Sequence, residues 1–141
     1  MNPRDIMRTA EPFLFVCLIV SLLISAFVFF FVFCVDWVDW FFGMRLVGLP
    51  AGIYLFLKMT GAVAIICLMV HYPRYRRQSV LAVFLYYTLL FPDAIVTFWQ
   101  YPAGDRDYPF FMVVAFCLAV LLLAIHGTLS QTGEIAQEES P

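Results

Sequence analysis

The sequence predicts an all-α, polytopic membrane protein: a bundle of four transmembrane helices with both termini on the cytoplasmic side. Two observations carry most of that expectation. Of 141 residues, 64% are hydrophobic and 13% charged, whereas soluble domains are roughly half apolar and about a quarter charged. Four apolar stretches are also long enough, or nearly so, to cross a hydrocarbon core that needs about 20 residues. A bilayer leaves no water to satisfy backbone groups, so such continuous runs are helices.

The first stretch, residues 13–35, carries no charge. It is too long for the apolar region of a signal peptide and lacks a convincing cleavage site, which predicts that it stays in the mature protein. The second, residues 51–70, is interrupted only by Lys58. The third, residues 79–99, contains Pro92 and Asp93, and the fourth, residues 109–126, is uncharged until its end. These form one domain over residues 1–130. The acidic remainder, residues 131–141, reads as a disordered cytoplasmic tail.

Orientation follows from the arginines outside the spans. Arg4 and Arg8 precede the first, and Arg74, Arg76 and Arg77 lie in the middle turn, against Arg45 and Arg106 in the other two connections. The excess predicts that both termini and the middle turn face the cytoplasm.

Composition also removes whole classes of function. A formal charge of -2 with a single lysine offers no basic face to nucleic acid. Cys17, Cys34, Cys67 and Cys117 stand apart, within or beside apolar runs. They read as buried or lipid-facing hydrophobes and argue against thiol exchange. No phosphate loop, Ser-His-Asp set or H-E-x-x-H is present. No cofactor is assigned from the residues.

The stretch CVDWVDWFFG, residues 34–43, places Asp36 and Asp39 beside Trp37 and Trp40. One reading is a helix end at the outer surface, where tryptophan prefers the headgroup layer. WVDWFFGMRLVGLP then lies along the membrane as an amphipathic anchor until Pro50 starts the second helix. The other reading has Asp36 or Asp39 lining a pocket at the outer mouth of the bundle. The absence of a histidine on that side argues against a metal there.

Lys58 and Asp93 are the informative charges, because an ionised group within a span is costly unless it finds water or a partner. From the outer ends of their helices they lie roughly 12 Å and roughly 10 Å deep at the helical rise. A short cytoplasmic turn makes those helices antiparallel neighbours, so a direct Lys58–Asp93 pair is expected, with Pro92 kinking the third helix beside it. Such a pair could fix helix register. It could instead belong to an outward-opening polar pocket that binds a head group or relays a proton, with Asp36, Asp39, Tyr54 and Tyr87 as neighbours. Separate snorkelling of the two charges to the surface is the third possibility.

His71 and His126 end the second and fourth spans at one level. They could clamp a haem or metal, but each also fits a helix C-terminus facing the macrodipole. Small residues four apart, Ser21 with Ser25, Thr60 with Ala64 and Ala115 with Ala119, mark expected points of close helix approach. The phenylalanines at 27, 29, 30, 31 and 33 are spread around the first helix, so most of them must face lipid or another subunit.

Residues KMTGAVAIICLMVHYPRYRRQSVLAVFLYYTLLFPDAIVTFW resemble the DoxX-like family of small four-helix membrane proteins over about a third of the chain. The resemblance lies in Lys58, Thr60 and Gly61, then Pro73, Arg74, Arg76 and Arg77, then Pro92. The first helix departs from the family, with phenylalanine-rich sequence in place of an arginine and a glycine-rich start. The resemblance implies a left-handed four-helix bundle with both termini inside. It implies no single activity, since the family ranges from quinone-linked oxidoreductase subunits to chaperones of other membrane proteins.

The expectation for function is a non-catalytic accessory protein in contact with the bilayer and another membrane protein, either an assembly factor or a small subunit. The alternatives are a membrane-embedded redox or lipid-modifying enzyme with an outward-opening pocket, or a small transporter using Lys58 and Asp93.

Overall fold

The structure is a computed structural model that describes residues 3–71, 76–100 and 107–138. Four helices and one small hairpin follow in the order α1 (Pro3–Val35), β1 (Val38–Phe41), β2 (Met44–Val47), α2 (Leu49–His71), α3 (Arg76–Gln100) and α4 (Asp107–Glu138). Each helix holds a stretch long and apolar enough to cross a membrane. The four-helix, multi-pass architecture is therefore the one expected. Pro73, Arg74 and Arg106 lie outside the described residues.

Two helices outrun their apolar stretches. α1 starts at Pro3, ahead of Phe13, and continues through Pro12. Its polar first turns are good helix formers, with Asp5 at the positive end of the dipole. α4 continues past His126 to Glu138, so helix replaces most of the tail read as disordered. Hydrophobicity sets where a span ends, but helix propensity sets where the helix ends, and Gln131, Glu134, Ala136 and Gln137 all favour it.

The core follows a coiled-coil period. Val80, Val83, Tyr87, Leu90 and Ala94 on α3 are buried, as are Met112, Ala115, Ala119 and Leu122 on α4. That alternation of three and four residues is the spacing of a helix-packing seam. α1 contributes Leu14, Leu18, Leu22 and Phe29. α3 packs most extensively on α4 and α1 on α2, while α1 with α4 and α2 with α3 close the ring. Inside lipid, burying leucine gains little by itself, so packing and interhelical hydrogen bonds carry the association. One such bond joins Ser21 and Tyr87 hydroxyls at 2.6 Å between α1 and α3. Another brings Ser25 Oγ to Met112 Sδ at 3.9 Å between α1 and α4.

Of the three small-residue pairs, Ser21 with Ser25 and Ala115 with Ala119 are buried. Thr60 with Ala64 is not the contact: Ala64 is exposed, and α2 instead turns Gly61 toward the Tyr86 ring and buries Ala62. Phe29 faces the interior, while Phe27, Phe30 and Phe31 stay exposed. Cys17 is half-buried and Cys34, Cys67 and Cys117 are exposed, all as free thiols.

The connection between α1 and α2 is a β-hairpin. Its strands pair Val38 with Val47, Asp39 with Leu46, Trp40 with Arg45 and Phe41 with Met44. Phe42 and Gly43 form the two-residue turn with φ of 47° and 81°. Positive φ at both positions is the hairpin-favouring geometry, which asparagine and glycine occupy most easily. Gly48 N–H donates to Trp37 O at 2.8 Å and closes the base.

Candidate functional site: a charged cavity walled by the hairpin

Contacts at the two ends of the bundle fix its up-down-up-down direction. Near the start of α1, Glu11 meets His126 Nδ1 at 2.8 Å and Arg76 Nε at 3.4 Å. The start of α1, the start of α3 and the later part of α4 therefore share one end. At the other end, the hairpin leaves the α1–α2 corner and reaches across to α3, where Gly43 lies over Val96. Three charged side chains meet beside it.

Lys58 and Asp93 are 7% and 6% exposed, so both are removed from solvent as their positions in the spans demand. The expected direct pair between them is not what forms. Lys58 Nζ meets Asp39 Oδ2 at 2.8 Å. Asp93 instead takes the Phe42 N–H on Oδ1 and the Tyr54 hydroxyl on Oδ2, the latter at 3.0 Å. The hairpin folds inward and brings Asp39 to Lys58. A strand from the outer connection thus supplies the counter-charge.

Tyr54 joins the two halves of the site. It lies one helical turn before Lys58, the spacing at which side chains on one helix face meet. Its hydroxyl binds Asp93, and its ring lies 4.2 Å below the Lys58 ammonium. The Phe29 ring, 5.2 Å away, gives the same ammonium a second aromatic face, each a favourable contact for a desolvated cation. Phe41 packs edge-on against Tyr54 with centroids 5.2 Å apart. From α3, the Tyr86 hydroxyl donates to the Lys58 carbonyl at 3.0 Å.

Lys58, Asp39, Asp93 and Phe29 line a partly open cavity of about 320 Å³. All four helices contribute to it: Val32 from α1, Leu55 and Lys58 from α2, Asp93 from α3 and Met112 from α4, with Asp39 and Trp40 from the hairpin. The walls are chiefly apolar, and the charges gather on the hairpin side.

The remaining candidates fall elsewhere. Asp36 is exposed beyond the end of α1, with its N–H on Val32 O at 2.8 Å. Tyr87 is buried on Ser21 in the core and does not line the cavity. His126 is engaged by Glu11, while His71 is exposed at the end of α2. Among the described residues, no cluster of three His, Cys, Asp or Glu side chains is placed to hold a metal. Two important residues carry weak sequence signals. Glu11 is a lone carboxylate just before Pro12, and Phe42 occupies a turn position where asparagine would have announced a hairpin.

Fold and site together define a class: a bundle of four helices long and apolar enough to span a membrane, in which a hairpin walls a charged cavity. No family model matches the chain, and no curated protein or solved structure matches it.

Proposed function

We propose that this chain is an accessory protein of a larger membrane complex, acting by contact as an assembly factor or small subunit. The observation that supports this reading is the outer face of α1. Phe13, Val16, Val20, Leu23, Phe27 and Phe30 are all exposed. Their spacing alternates between three and four residues, the period of a helix-packing seam. Three of the six are phenylalanines, whose broad rings suit close helix packing as well as lipid contact. The internal charges fit the same reading, since Lys58 and Asp39 serve to hold this chain's own hairpin. The likeness of Lys58, Thr60, Gly61 and Pro92 to the DoxX-like family, which includes chaperones of membrane proteins, is in keeping with it.

The arginine distribution supports an orientation with the Glu11–Arg76–His126 end cytoplasmic and the hairpin at the outer surface. Purification from native membranes in mild detergent tests the proposal. The expected result is a stoichiometric membrane partner that is lost when Phe13, Phe27 and Phe30 are replaced by alanine in a still-folded bundle. A chain that purifies alone and monomeric overturns the proposal.

A further inference from the structure

We infer that the cavity beside Lys58 is a binding site for a small uncharged amphiphile: a mainly apolar molecule carrying one hydroxyl or carbonyl group. The inference rests on the cavity alone and stands apart from the accessory role.

Size comes first. A volume of about 320 Å³ lies at the lower end of known ligand sites, roughly 300–1,000 Å³. Water can be held only at the charged end, because each buried water needs two to four polar partners, roughly. Val28, Val32, Leu55, Leu90 and Met112 offer it none. An apolar body matches these walls, and the bilayer around the bundle is a ready reservoir for such a molecule.

The polar end is defined by the charges. Lys58 and Asp93 are each more than nine-tenths buried and both line the cavity. An ammonium has three donors, and a carboxylate accepts at about four lone-pair positions. The 2.8 Å contact with Asp39 occupies one donor of Lys58. A ligand carbonyl can accept from another, and a ligand hydroxyl can donate to a carboxylate.

Full charge on the ligand is disfavoured from both sides. An anion would be brought against Asp39 and Asp93. A cation would compete with Lys58, which already sits over the Phe29 and Tyr54 rings. A charged ligand of either sign would also have to leave water for a low-dielectric site, where desolvation costs several kcal/mol, roughly.

Trp40 lines the cavity and can report on it. In the intact chain carrying Trp37→Phe and Trp99→Phe, reconstituted in nanodiscs, its fluorescence is titrated with bromine-labelled decanol, decylammonium and decanoate. The expected result is saturable quenching by the alcohol, with an apparent affinity at least tenfold tighter than for either ion. Excess unlabelled decanol should reverse it. Filling the cavity with Ala94→Leu, or independently with Val28→Phe, should abolish the saturable phase. Quenching that only rises linearly, resists competition or persists in a folded filled variant means bilayer partitioning, and the site is refuted. Tighter binding of either ion refutes the assigned class. Should both filled variants misfold, the competition arm decides by itself.

Discussion

Asp39, on a strand between the first two helices, forms an ion pair at 2.8 Å with Lys58 inside the second. The pair ties a surface connection to a buried position, so loss of either member affects both. Asp39→Asn leaves a buried ammonium without its counter-charge, which typically costs about 3–5 kcal/mol. Thermal unfolding in detergent should show that loss for Asp39→Asn and again for Lys58→Met. The double variant Asp39→Leu with Lys58→Met should recover most of it. A double variant as unstable as the sum of the singles would show that the pair is not the coupling element.

Asp93 holds the hairpin tip through the Phe42 N–H, and Phe42 pays for that contact with a left-handed backbone, φ 47°. Asparagine tolerates that conformation, whereas a β-branched residue does not. Phe42→Val should therefore be less stable than Phe42→Asn by about 1 kcal/mol or more. Phe42→Pro, lacking the donor and confined to negative φ, should detach the tip. Hydrogen exchange across residues 38–47 reads both effects.

Gly52 is where α2 accepts the Trp37 indole. A methyl group there would lie 3.1 Å from Trp37 Cδ2. The ring has little freedom to retreat, since Nε1 donates to Phe33 O at 2.8 Å and the Phe33 ring stacks at 5.8 Å. Gly52→Ala should destabilise the bundle by about 1 kcal/mol despite the better helix propensity of alanine. Combining it with Trp37→Leu should turn the same substitution stabilising, because propensity alone then remains.

Ser21 and Tyr87 make one shared hydrogen bond between α1 and α3. Bonds of this kind in membrane bundles average about 0.6 kcal/mol and reach about 1.7 kcal/mol. Ser21→Ala and Tyr87→Phe should each cost an amount in that range, and the double variant should cost scarcely more than one. Strict additivity in a denaturation series would mean that the two hydroxyls act separately.

Glu11 anchors the first turns of α1 through His126 and Arg76. Glu11→Ala should speed amide exchange in residues 5–11 while leaving the hairpin end of the bundle unchanged. Equal acceleration at both ends would show that the contact stabilises the whole bundle rather than one terminus.

Membrane class, the number of helices long enough to span and the burial of Lys58 and Asp93 were legible from the chain alone. Each depends on local composition and the helical rise, which need no knowledge of neighbours. Tyr54 and Tyr87 were both expected beside the pocket, and only Tyr54, one turn from Lys58, meets its charges. The hairpin was not legible, because Phe42–Gly43 is a weak turn signal and its tip is held by Asp93, distant in sequence. Asp36 and Asp39 look alike in CVDWVDWFFG, yet one ends in solvent and the other on Lys58.

Sequence by itself determined that four apolar helices must assemble and that two charges must find partners within them. Tertiary structure decided which partners: Asp39 for Lys58, Phe42 and Tyr54 for Asp93, Glu11 for His126, Ser21 for Tyr87. The physical reason is that hydrophobicity and helical rise are properties of each segment, whereas the choice of counter-charge depends on how separate segments fold back on one another. In a low-dielectric interior that choice is worth several kcal/mol, roughly, enough for one inward-folding hairpin to redirect it.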